Sequence, residues 1–277
     1  MSEERKLRKL NEFIETIKVR NADPERAPVK QESYKLNGVC DETCPLCHGL
    51  GFVGKSDNPY GLELCPNYTR LIWFHEIGIS EGEAAILDWS AFATRSSSTK
   101  IKRALSLLHS RGYGLLYLWG NPGVGKSALS KSATIIASRR YHYRAHYTTQ
   151  ANMIDQLRAS YDEDGGQKIY KQRMDALMKY NWLVIDEIGR DRNSDFSKAV
   201  MSEILNSRYT MCIEGKAGVT VLISNFDPKE VLDDYQLDRV NDKRSTVLHI
   251  QDVSFRALPL WEEEEKKERN PLWWQEL

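Results

Sequence analysis

A parallel α/β sheet with helices on its faces is the fold class that this sequence predicts. Three observations predict it. Short apolar runs at 114–119, 182–185 and 219–223 alternate with segments of helical spacing, the order that yields a parallel sheet covered on both sides. The first run leads straight into the glycine-rich Gly120-Asn121-Pro122-Gly123-Val124-Gly125-Lys126-Ser127. The second ends in two adjacent carboxylates, Asp186 and Glu187.

The elements follow in order. Over residues 3–19 charges alternate with Leu7, Leu10, Phe13, Ile14 and Ile17, a helix with one narrow apolar stripe that packs on its own domain or grips a partner. The polar, proline-containing stretch 21–33 reads as a linker. Four of the five cysteines fall within 40–65, among glycines and prolines, a small loop-rich module. From about Ile86 the texture changes to helices and strands, with helices expected over 101–110, 126–139, 151–160, 167–179 and 196–209. The domains are thus 1–80, an N-terminal helix with a cysteine-rich partner-interaction module; 81–260, the large α/β domain; and 261–277, a charged tail. Trp273 and Trp274 in that tail either dock on a partner or fold back.

Composition limits the function. A 41% hydrophobic share can build a core, and Lys plus Arg equals Asp plus Glu at 39 each. Zero net charge gives no overall pull toward nucleic acid, so any such contact needs a local patch. No apolar stretch is long enough to span a bilayer, which argues against a membrane partner. The charged N-terminus lacks the apolar core of a secretory signal, and the expectation is a cytoplasmic protein. In that compartment clustered cysteines serve as metal ligands or thiols rather than disulfides.

Residues Gly120 to Ser127 satisfy GxxxxGK[ST] between a strand and a helix. Glycines let successive amides turn inward onto phosphate oxygens, and the helix N-terminus adds positive charge. Lys126 then reaches the β and γ phosphates of ATP, while Ser127 and Asp186 hold Mg²⁺. Glu187 polarises the attacking water. Asn225, at the end of the third strand, orients that water or caps the next helix.

These motifs resemble the AAA+ ATPases of the DnaC/DnaI helicase-loader and IstB group. The likeness spans about 87–256 and is carried by GNPGVGKSAL, MIDQLRASYDED, LVIDEIG with Ser194 and Asp195 after it, ILNSRY, VLISNF, Leu237-Asp238-Arg239 and Ser254-Phe255-Arg256. It implies that Arg239, or the nearby Arg244, is a finger reaching a neighbour's nucleotide. It implies that Arg256 is a sensor of the chain's own nucleotide. A finger acting in trans implies self-association into a ring or spiral, with ATP as the switch. The best reading is an ATP-dependent loader of a hexameric replicative helicase acting on single-stranded DNA. The alternatives are an IstB-like transposition regulator, a P-loop phosphotransferase, or a nucleotide-binding interaction protein without useful hydrolysis.

Cys44 and Cys47, then Cys65, match three ligands of a CxxC…CxxC zinc site. Tyr68 stands where the fourth is expected, and Cys40 substitutes, with His48 and His75 in reserve. Four thiolates make a closed, structural Zn²⁺ site. Cysteine modules of this kind occur in some helicase loaders and favour that reading over the IstB-like one. For DNA, the run 139–144 interleaves bases and aromatics, although a helix end followed by a core strand explains it as well. Lys168, Lys171 and Arg173 are the other candidates.

Overall fold

The computed structural model of this protein describes residues 44–48, 52–54, 62–87, 89, 96–162, 165–190, 195–216, 218–255 and 273–275. The expected helix over 3–19, the linker, Cys40, Ser194, Arg256 and most of the tail lie outside these residues. The chain divides into two units, Met1–Glu63 and Leu64–Leu277.

β1 (Phe52–Gly54) pairs with β2 (Leu62–Leu64) in a two-stranded sheet. Before them Cys44 to His48 make a turn, closed by the His48 amide donating to the Cys44 carbonyl at 2.9 Å. Cys44 and Cys47 are both buried.

The second unit opens with α1 (Pro66–Ile77), which has Pro at its first position and stops at Gly78 in the left-handed region. That start and stop follow helix-end chemistry. Phe74 and Ile77 of α1 belong to the core of this unit. α2 (Glu81–Ile86) begins with a capping box between Ser80 and Glu83. After α3 (Ser96–Arg111) come β3 (Tyr113–Gly120), α4 (Lys126–Arg139), β4 (Ala145–Thr149), α5 (Gln150–Ala159) and α6 (Gly166–Met178). β5 (Trp182–Ile188), α7 (Asp195–Ile213), β6 (Gly218–Ser224), α8 (Pro228–Val231), α9 (Asp234–Val240) and β7 (Ser245–Ile250) complete the order.

The five strands β3 to β7 form one parallel sheet in the order β4-β5-β6-β3-β7. Period-two alternation sends Leu116 and Leu118 to one face, with Ile101, Leu105, Leu129 and Ala133 of α3 and α4. It sends Leu115 and Tyr117 to the other, with Ile154, Leu157, Ile204 and Leu205 of α5 and α7. Both faces being covered, β5 runs apolar over 182–185 and β6 over 221–223, and each fully buried Leu or Ile contributes about 1.5–3 kcal/mol.

Arg208 is a cation buried inside this framework. Arg208 of α7 donates to Thr220 Oγ1 at 2.8 Å, the Tyr180 carbonyl at 2.6 Å and the Val219 carbonyl at 2.6 Å. Burial lowers its pKa to about 10, and these acceptors compensate the desolvation. At the end of the chain Trp274 is buried against Phe74, with ring centroids 5.0 Å apart, and against Trp73 at 5.6 Å. Trp273 Nε1 donates to the Ala84 carbonyl at 3.1 Å. These two tryptophans fold back onto the second unit.

Candidate functional site

The carboxyl ends of parallel strands form a crevice where ligands bind in open α/β sheets. Here β3 ends in Gly120, and the loop to α4 is pressed against the end of β7 and the residues after it. A Cβ on Gly123, whose φ is 78°, would meet Ser254 Oγ at 2.0 Å. The Phe255 amide donates to the Gly123 carbonyl at 2.9 Å. Residue 123 is therefore restricted to glycine twice over, by φ and by space. α4 starts directly at Lys126 after Gly125 in the left-handed region, leaving first-turn amides directed into the loop.

Lys126 is buried at 5% exposure. Its Nζ donates to the carbonyls of Gly120 and Asn121, both at 2.8 Å, and to Asn225 Oδ1 at 3.1 Å. Burial pushes its pKa down to about 8, against the opposing pull of the Asp186 carboxylate. Asn225 thus touches the lysine. The following helix α8 is capped by another side chain, Asp227, accepting from the Lys229 amide.

Asp186 is buried near the end of β5. Its Oδ1 accepts from the Glu187 amide at 2.6 Å, and its Oδ2 accepts from the Tyr147 hydroxyl. β5 continues to Ile188, beyond the expected end at 185, through an irregularity between Ile185 and Ile188 in its pairing with β6. At that irregularity Glu187 has φ 58°, one of three non-glycine residues with positive φ among those described. Its carboxylate is exposed and pairs with Arg190 at 2.7 Å. Strained backbone of this kind concentrates at functional sites. Just beyond, the Gly189 amide donates to Gln150 Oε1 at 2.8 Å, and Gln150 Nε2 donates to Ser197 at 3.0 Å, tying the turn to α5 and α7.

The arginines stand differently. Arg239 of α9 stacks on Tyr235 with its guanidinium 3.2 Å from the ring centroid, and donates to the Tyr235 carbonyl at 2.8 Å. Arg244 pairs with Asp242 at 3.0 Å. Both spend these contacts within their own segment. Arg139 lies 3.9 Å from the Trp73 ring centroid and Tyr143 donates to the His109 carbonyl at 3.4 Å, so part of the basic–aromatic run 139–144 serves packing. Lys168 and Lys171 are exposed on α6, and Arg173 donates to the Gln156 carbonyl.

The structure thus gathers Lys126, Asn225, Asp186, Glu187 and the loop 120–127 at one end of the sheet. Sequence reasoning missed Tyr147, Gln150 and Arg208. Only Arg208 carries a signal, a cation in line with Val200, Ile204, Leu205 and Cys212 on the buried side of α7.

Glycines that exclude a side chain and a buried lysine suit a polyphosphate, while the Ser127 hydroxyl and the buried Asp186 carboxylate offer the oxygen ligands that magnesium takes. A parallel five-stranded sheet of this order with that loop after β3 fits the AAA+ type of P-loop fold. Residues 85–258 match the model of the family described as IstB-like ATP binding protein. The chain belongs to that family. No curated protein matches it. Similar solved structures include a DNA replication initiation factor (17% identity, 60% of this chain and 51% of that chain, TM-score 0.49). Others are the DnaC helicase loader (19%, 57% and 92%, 0.47) and DnaI (20%, 61% and 94%, 0.44). The chain spans about half the length of the first of these. None of the three reaches a TM-score of 0.5, and the assignment rests on the family match. Among the described residues no helix is long and apolar enough to cross a membrane.

Proposed function

We propose that this chain is a magnesium-dependent ATPase that loads a replicative helicase, its nucleotide acting as a switch of assembly. The observation that carries the ATPase reading is the convergence of Lys126, Asn225 and Asp186 on the loop 120–127. Lys126 leaves its loop carbonyls for the β and γ phosphates. Ser127 and Asp186 would hold Mg²⁺, which would draw charge from those phosphates. Glu187 takes a proton from the attacking water as the water oxygen bonds to the γ-phosphorus and ADP leaves, and Asn225 keeps that water in line. Arg239, or Arg244, completes a neighbour's site within a ring or spiral on single-stranded DNA, and Arg256 senses the chain's own nucleotide.

Cys40, Cys44, Cys47 and Cys65 are read as a structural zinc site in an N-terminal partner module. Its support is the buried pair Cys44 and Cys47, three residues apart on one turn, with the thiol chemistry that suits zinc. Elemental analysis then finds about one zinc per chain, and chelation unfolds the module while ATP binding persists. A metal-free chain with a folded module overturns the zinc site.

The second reading, an IstB-like transposition ATPase, is favoured by the family match itself. Co-purification with purified partners separates the two. Recovery of a replicative helicase, in a manner changed by ATP, supports the loader. Recovery of a transposase and no helicase overturns it.

A further inference from the structure

We propose that Tyr147 is a positioning residue of the magnesium site, its hydroxyl and the Glu187 amide together locking both oxygens of the Asp186 carboxylate. The inference rests on the ATPase reading above.

In the sheet, Thr149 of β4 stands opposite Asp186, and Tyr147 opposite Val184. Alternation along a strand therefore puts the Tyr147 ring on the same face as Asp186. α4 covers that face, and its Lys131 Nζ lies 4.8 Å from the ring centroid while pairing with Glu83. Tyr147 is buried at 6% exposure. Its hydroxyl donates to Asp186 Oδ2.

The consequence lies in what Asp186 has left to offer. A carboxylate has two oxygens with about four acceptor sites. The Glu187 amide holds Oδ1 and the phenol holds Oδ2, so the carboxylate plane is set before a cation arrives. Partners behind metal ligands are worth about 10–100-fold in metal affinity.

The test uses the full chain and a fluorescent ATP analogue, titrated with Mg²⁺ at fixed nucleotide and, separately, in EDTA. Tyr147→Phe keeps the ring and removes the donor. It is expected to need about tenfold more Mg²⁺ for half-maximal response, with affinity in EDTA within about twofold of the parent. Lys131→Met, which leaves the hydroxyl in place, is expected to keep the parent midpoint. An unmoved midpoint in Tyr147→Phe overturns the inference. So does an equal loss of affinity with and without Mg²⁺, which marks packing alone, or an equal shift in Lys131→Met. Should Tyr147→Phe fail to fold, Tyr147→Met fills the space without a donor and is read by the same criterion. A parent that binds no nucleotide under any condition overturns the ATPase reading itself, whereas a binding parent with an unshifted Tyr147→Phe overturns only the role of Tyr147.

Discussion

Lys126 and Glu187 sit at the same end of one sheet and are built in opposite ways. Lys126 is buried, helical and engaged with three acceptors. Glu187 is exposed, holds a backbone conformation that costs a side-chain-bearing residue energy, and meets Arg190. The difference teaches how such a site divides its labour. Groups that hold phosphate gain from being fixed in advance. A group that must act on a transient water gains from being released late, and an exposed ion pair is weak enough to let it go.

The largest expected effect breaks the first half of that comparison. Lys126→Ala removes a buried charge from the phosphates and is expected to weaken ATP binding about a thousandfold, measured by fluorescence or calorimetry. Equal affinity in the variant and the parent removes Lys126 from the site. The second half is broken by Glu187→Gln, expected to bind ATP as the parent does while hydrolysis falls about a hundredfold. Phosphate release checks the rate, and a matched fall in affinity contradicts the division of labour.

Two smaller effects sharpen the contrast. Burial disfavours charged Lys126, lowering its pKa to about 8 from 10.5. The resulting penalty is complete below about pH 8 and gone above 10.5. Between those values the unfolded chain binds more protons, so stability rises with pH. In nucleotide-free urea unfolding, the parent is expected to gain up to about 3 kcal/mol on Lys126→Met across that window. A constant gap means the ammonium is solvated. Glu187→Gly relieves the positive φ and is expected to add about 1 kcal/mol of stability while abolishing hydrolysis. Thermal melting reads this effect, and a lower melting temperature means that the turn is unstrained.

The central strands and α4 were legible because local chemistry sets them. β5 is apolar up to Asp186, β6 is apolar but for Thr220 until it ends in Ser224, and α4 begins where the glycine loop must end. The loop and its acidic partner strand were legible for the same reason, as contiguous motifs. β7 was not, because as an edge strand it leaves Thr246, Val247 and His249 exposed and shows no clean alternation. Helix α1 was obscured by the cysteines before it. Tyr147 meets Asp186 only through the pairing of β4 with β5, and nothing beside it in the chain announces that. The lengthening of β5 past Asp186 depends on a pairing irregularity with β6, which residue types alone do not reveal.

Trp274 closes the pocket beside Trp73 and Phe74, and that closure has a cost during synthesis. The ribosome makes α1 early, yet its aromatic partner emerges about 200 residues later, roughly 10–40 s at ordinary elongation rates. Through that interval the aromatic face of α1 lacks the ring that covers it.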